Sequence, residues 1–261
     1  MANIDFEGFS LQTANYITTD ITYRTIPTRD IVLQNISRRP GKKMTANEFT
    51  QKEIKIAGWI LGDNGDDLIA KIDDLHDNIT RKNSGILTVD NGRSIAAIVN
   101  TFSITDPNYT QSATPFEIDF LSTGDPFWSG PQQSINITVA SGNEEPQILP
   151  VTLTISGSVF AEPMISYRSS GSTGYTTTSG IMLQYGSTQE KLTWSGGANT
   201  LPYGSLVAFD YSNLIAIQDS VEVVAAGNFS RWEPGLTNFG VTFSGCSQGG
   251  TLTFAYHPRY L

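Results

Sequence analysis

Residues 53–82 read EIKIAGWILGDNGDDLIAKIDDLHDNITRK, and the period of the apolar residues changes within them. From Glu53 to Ile60 the period is two. Ile54, Ile56 and Ile60 share a face while Glu53 and Lys55 point away, the pattern of a half-buried strand. From Asp66 to Lys82 the apolar residues follow a helical period: Leu68, Ile72, Leu75 and Ile79 fall in a narrow arc, with Ala70, Asp73 and Asp77 opposite. One amphipathic helix on a sheet is the reading. Asp66 and Asp67 in its first turn, and Arg81 and Lys82 in its last, complement the helix dipole. Gly85 is the expected stop. Each of the four core residues is worth roughly 1.5–3 kcal/mol against a sheet.

Outward from this stretch the chain is β-rich. Ile86–Val89, the turn Asp90-Asn91-Gly92 and Ile95–Val99 form a predicted hairpin, because Asn-Gly supplies the positive φ values of a tight turn. Phe116, Ile118 and Phe120 alternate with Glu117 and Asp119. Val151, Leu153 and Ile155 alternate with threonines, as do Leu252, Phe254 and Tyr256 with Thr251, Thr253 and Ala255. Asp125-Pro126-Phe127-Trp128-Ser129-Gly130-Pro131 punctuates the chain with two prolines and a glycine, and marks the expected domain boundary. Beyond it no helical period of useful length appears. Turn signals recur at Ser169–Gly174 and Ser195-Gly196-Gly197. The expected fold class is mainly β: an N-terminal β-sandwich-like domain over residues 1–130 with one amphipathic helix and a β-hairpin, and a C-terminal jelly-roll sandwich over residues 131–261.

Charge and cysteine usage narrow the function. The 261 residues carry a net charge of −9. Residues 1–130 hold 17 acids and 12 bases, and residues 131–261 hold 8 and 4, so both halves are acidic. A nucleic-acid binder needs a basic footprint to neutralise phosphate, and this chain has none of that kind. The single cysteine, Cys246, excludes an intrachain disulfide and fits folding in a reducing cytosol. The acidic opening stretch lacks an apolar run and does not read as a signal peptide. No stretch approaches the length of a membrane helix, so membrane insertion is not expected.

Few residues suggest chemistry. Gly245-Cys246-Ser247-Gln248-Gly249 matches the spacing of a nucleophile elbow, but an elbow needs a helix after it. Here Gly250 and an alternating strand follow, so a glycine-rich turn is the reading. His76 lies three residues after Asp73 and directly before Asp77, and no second cluster completes a metal site. Asp63-Asn64-Gly65-Asp66-Asp67 lacks the alternating oxygens and closing Glu of a calcium loop, and reads as the turn that caps the helix. No cofactor and no catalysis are expected. Exposed aromatics could stack on a sugar, and Trp232 at a strand end is the candidate, although packing is the commoner use of such a residue. Trp194, in phase with Leu192, belongs in the core. Trp59, opposite the isoleucines of its strand, lies either under the helix or in a subunit interface. Arg38-Arg39-Pro40-Gly41-Lys42-Lys43 is the only basic run, read as a loop that is either solvated or in contact with an acidic neighbour.

The order of these elements resembles the phage distal tail protein family, Dit. The residues that carry the resemblance are Ile54-Lys55-Ile56-Ala57-Gly58-Trp59-Ile60; the helix with Leu68, Ile72, Asp73 and Leu75; Gly85-Ile86-Leu87-Thr88-Val89-Asp90 leading into Ile95–Val99; and Pro115-Phe116-Glu117-Ile118-Asp119-Phe120 running to Asp125-Pro126-Phe127. In the second half they are Leu206-Val207-Ala208-Phe209-Asp210, Pro234-Gly235 with Asn238, and Ala255-Tyr256-His257-Pro258-Arg259-Tyr260-Leu261. The resemblance implies a homo-hexameric ring built by the N-terminal domain and a galectin-like C-terminal sandwich projecting outward. The implied partners are a tail tube protein on one side and a tail-associated hub or fibre protein on the other, with the genome passing through the ring. Trp59, Arg38, Arg39, Lys42 and Lys43 are the candidate interface residues. The rival reading is a carbohydrate-binding module of the tail tip that recognises the host.

Overall fold

A computed structural model of the chain describes residues 3–35, 42–82, 84–105, 112–140, 147–170, 178, 180–185, 190–195, 201–202, 204–244 and 249–261. The chain divides into two compact units, residues 1–130 together with Leu261, and residues 131–260. It is mostly antiparallel strand, with one α-helix among the described residues.

The first unit holds β1 (Asp5–Phe6), β2 (Phe9–Ser10), β3 (Tyr16–Thr22), β4 (Arg29–Asn35), β5 (Lys42–Phe49), β6 (Glu53–Leu61), α1 (Gly65–Arg81), β7 (Ser84–Val89), β8 (Arg93–Ile104), β9 (Ala113–Ser122) and β10 (Trp128–Ser129). Seven of these form a sheet in the order β2-β1-β7-β8-β9-β6-β3, and β10 pairs with β8. The alternation in β6 does what its period demands: Ile54, Ile56 and Ile60 are buried and face Phe120, Ile118 and Thr114 across the ladder to β9. Gly58 sits in that buried row. A Cβ there would lie 2.5 Å from the Ile17 carbonyl oxygen and 2.7 Å from the Phe116 ring, so the gap in the isoleucine pattern is the space that Phe116 fills.

Helix α1 packs on this face, against β6 and β8. Leu68, Leu75 and Ile79 are buried, whereas Ile72 is only half-buried and lies at the margin of the apolar arc. Asn64 caps the helix by accepting from the Asp67 amide at 3.0 Å. The helix ends at Arg81, and Gly85 is not its stop. Gly85 lies inside β7, where a Cβ would fall within 2.5 Å of the Glu7 side chain. Tyr16 ties β3 to the helix, its hydroxyl donating to Asp74 Oδ2 at 2.8 Å and lying 3.1 Å from the Lys71 carbonyl oxygen.

Strands β4 and β5 stand apart as a two-stranded sheet. Their base is clamped. Phe49 meets Phe127 edge-on at 5.2 Å, Arg29 lies over the Phe49 ring at 4.2 Å, and Thr28 exchanges backbone bonds with Thr50 and Gln51.

The second unit holds β11 (Gln133–Val139), β12 (Gln147–Ile155), β13 (Met164–Ser169), β14 (Gly180–Tyr185), β15 (Glu190–Ser195), β16 (Leu206–Asp210), β17 (Ile215–Gln218), β18 (Val221–Val223), β19 (Ala225–Gly227), β20 (Gly235–Ser244) and β21 (Gly250–Tyr256). They form two sheets, ordered β11-β21-β13-β16-β17-β18 and β12-β20-β14-β15-β19. Inward residues of both sheets share one core, among them Leu252, Phe254, Val241 and Phe243. Trp194 and Trp232 are both in it. The Trp232 ring stacks on Tyr185 at 5.7 Å and meets Phe239 at 5.0 Å and Phe254 at 5.9 Å. It is therefore a core residue, not the exposed sugar platform considered from its place at a strand end.

Candidate assembly surfaces

The β4–β5 hairpin carries apolar side chains where no core receives them. Ile31, Val32, Leu33 and Met44 are 52%, 42%, 52% and 54% exposed. Neighbours along a strand point to opposite faces, so Ile31 and Val32 put apolar surface on both sides of the hairpin. An isolated two-stranded sheet is marginal in water, and unpaired strand edges invite pairing. The leading segment adds Ile26, 67% exposed. The basic run divides here. Lys42 and Lys43 are not in a loop: they belong to β5 and pair with Asn35 and Gln34, because the strand starts two residues before Met44. Arg38 and Arg39 lie outside the described residues.

A second surface lies on the face of the sheet away from α1. Trp59 is 43% exposed there, which excludes a position under the helix. Pro115 is its partner across one ladder and Ile17 across the other. Trp59 and Pro115, with Thr19, Ala57 and Glu117, line a shallow depression of about 290 Å³. Further along the same face Lys55 lies between Glu53 at 3.4 Å and Asp119 at 3.7 Å. Asp119, and then Glu53, hold its ammonium above the ordinary lysine value. Glu53, Glu117 and Asp119 against Lys55 make this patch acidic.

Sequence reasoning missed Lys52. It is fully buried, and its Nζ has no hydrogen-bond partner among the described residues. The amine lies 5.8 Å from the centre of the Trp128 ring. Desolvation, with a smaller contribution from Arg93, pulls its pKa down to about 8. The backbone explains why the residue is there: the Lys52 amide donates to Ser122 Oγ at 2.7 Å, and the Ser122 amide returns a bond to the Lys52 carbonyl at 2.9 Å. A charged residue directly before an alternating strand is an ordinary surface signal, so composition gave no warning of its burial.

The chemical candidates fare differently. His76, Asp73 and Asp77 are exposed, and the His76 ring lies 5.9 Å from Phe102. Among the described residues no group of three His, Cys, Asp or Glu side chains is placed to hold a metal. Asp67 is engaged as a helix-start residue, with Lys71 at 2.7 Å and the Asp63 amide donating to it, and these hold its carboxyl below the ordinary range. Residues 245–248, with Cys246 and Ser247, lie outside the described residues. No helix among the described residues is long and apolar enough to cross a membrane.

The chain matches the Dit protein (gp 19.1) of phage SPP1, described as a paradigm of the hub adsorption apparatus of phages that infect Gram-positive bacteria. The TM-score is 0.73 at 14% identity, and the match covers 100% of both chains. The two proteins share a fold, and the resemblance read from the sequence extends to the whole architecture. A chain of the phage p2 baseplate in its activated conformation with strontium aligns over 97% of both chains at 8% identity, with a TM-score of 0.44. No protein-family model and no curated protein sequence matches the chain.

Proposed function

We propose that the chain is a structural distal tail protein of a long-tailed phage, a non-enzymatic ring hub of the virion's tail tip. In this reading the first unit closes into a homo-hexamer that joins the tail tube protein to the tail-associated hub or fibre protein. The second unit is a galectin-like platform at its periphery. The observation that carries the proposal is the whole-chain fold match to a phage hub protein.

Two features of the first unit support a ring. A closed ring needs a heterologous interface, so each subunit must present two different patches. The β4–β5 hairpin, apolar with a basic tip sequence, is one. The Trp59 depression, where Trp59 and Pro115 stand beside Thr19 and Glu117, is the other. Aromatic anchors at interface centres commonly cost 2 kcal/mol or more when truncated, about 30-fold in affinity. The acidity of both halves suits passage of DNA, which a basic wall would hold. In the assembled particle carboxylates should outnumber lysine and arginine on the wall facing the genome, and a basic wall ends that part of the reading.

The test is the native mass of the full chain in solution. Six chains of 28.4 kDa give a particle of about 170 kDa. A monomer at every concentration, with or without the tube protein, contradicts the proposal. Arg38→Glu with Lys42→Glu should weaken ring or tube docking at physiological salt. Unchanged assembly would return those residues to a solvated role.

A further inference from the structure

The six-stranded sheet of the second unit ends at β18, and no described strand pairs with its outer edge. This edge is shaped by rigid turns. Between β17 and β18, Asp219 and Ser220 both have positive φ, 48° and 72°. Asp219 is pinned to the start of β16: its Oδ1 accepts from the Leu206 amide at 2.8 Å, and its own amide donates to the Leu206 carbonyl at 3.0 Å. Between β16 and β17, Asp210 accepts from the Ser212 and Asn213 amides at 2.9 and 3.1 Å and from Asn213 Nδ2 at 2.7 Å. The turn it fixes ends in Leu214, a leucine held at φ 59° and 62% exposed. A branched apolar side chain in the left-handed region and in water is unfavourable on both counts.

Along β18 and just beyond it more apolar side chains are exposed. Val221 is 65% exposed and Val224 88%. Leu214, Ile215, Val223, Val224 and Phe229 line a depression of about 360 Å³, and Glu222 is its charged member. Phe229 is backed by Tyr211, edge-on at 5.1 Å. Between Lys191 and Arg231 the sequence holds Asp210, Asp219 and Glu222 and no lysine or arginine. Two of these carboxylates are spent on the turns, which leaves Glu222 facing outward across from Ile217.

We propose that the β18 edge takes an extended segment of a partner protein as an added strand, one that alternates apolar residues with lysine or arginine. An open strand edge is recognised by main-chain pairing, and side-chain pockets at every second position set specificity. With period-two alternation, apolar residues of the added strand fall beside Val221, Val223 and Phe229, and the residues between them fall over Glu222. Self-pairing of β18 with a second copy is disfavoured, since it sets Glu222 near its own equivalent and like charges facing each other across strands repel. This proposal is independent of the ring. It concerns a surface of the second unit and a different partner.

The probe is a short peptide alternating lysine and valine, titrated into the full chain and compared with its glutamate–valine counterpart and with the lysine peptide carrying proline at its centre. The expected result is binding of the lysine peptide at least about tenfold tighter than the glutamate peptide, with amide exchange slowed at residues 221–223. Proline abolishes it by removing a main-chain donor. Glu222→Lys reverses the preference, and Leu214→Asp weakens both peptides while leaving the fold intact. If neither peptide binds, or if the lysine preference survives Glu222→Lys undiminished, the edge is not the site and the proposal falls.

Discussion

The two units bury their apolar residues in opposite ways. The second places Trp194 and Trp232 between two sheets, in a core to which most of its strands contribute. The first has a comparable core under α1, yet it leaves one element, the β4–β5 hairpin, with Ile31, Val32, Leu33 and Met44 in solvent and no layer to cover them. A two-sheet sandwich satisfies its inward faces by itself. A free hairpin with apolar residues on both faces does not, and the proposed ring is what would bury it. The second unit also exposes apolar residues, Leu214, Val221 and Val224 among them, but they lie at the edge of a sheet whose inward face is covered.

Substitutions can break or sharpen this contrast. The largest effect belongs to Trp232→Ala, which should lower the stability of the second unit by about 3–5 kcal/mol in denaturant titration followed by circular dichroism. The first unit's transition should stay in place; if both shift together, the units are one cooperative block. Leu75→Ala removes the centre of the helix contact and should cost the first unit about 2–5 kcal/mol with the second unmoved. Lys52→Met should raise the first unit's stability by about 1–3 kcal/mol, because a buried amine without a partner is replaced by a group that needs none. The pH profile separates this from packing. The folded pKa of about 8 lies below the 10.5 of a free lysine, so across that window the unfolded chain binds the proton more readily. Wild-type stability should therefore rise from about pH 8 to 10.5, and Lys52→Met should lose that rise. Asn64→Ala should cost about 1 kcal/mol by uncapping α1. Smallest of all, Ile31→Ser with Leu33→Ser should change monomer stability by less than about 0.5 kcal/mol, since both are already exposed. A large loss there would show that the hairpin has a core of its own.

The core was readable in the sequence wherever a period persisted. Ile54, Ile56 and Ile60 lie on one face of β6, and Leu68, Leu75 and Ile79 on one face of α1, because both periods report directly which side chains meet. The N-terminal cap was legible for the same local reason: Asn64 bonds an amide three residues on. What failed was non-local. Gly85 carries a stop signal by type, but its space is taken by Glu7, a residue nearly eighty positions away. Lys52 is of a surface type, and its burial beside Trp128, 76 positions away, is a non-local fact. Trp232 had a strand-end position that suited either use, and the rings of Tyr185, Tyr211, Phe239 and Phe254 around it decided it. Of the candidate interface, Trp59 could be assigned to the face opposite the isoleucines, while the apolar run Ile31-Val32-Leu33 gave no sign that its strand pairs with one neighbour only. The functional reading came from the order of many weak elements, because no motif in the sequence singled out a chemistry.

The measurement closest to the central claim is the mass, by light scattering, of residues 1–130 and residues 131–261 expressed separately, with Ile31→Asp plus Leu33→Asp in the first. The account requires a ring-sized first unit, a monomeric second unit, and a first-unit variant reduced to a folded monomer. A first unit that stays monomeric at high concentration, or a ring that survives loss of the apolar hairpin, would contradict it.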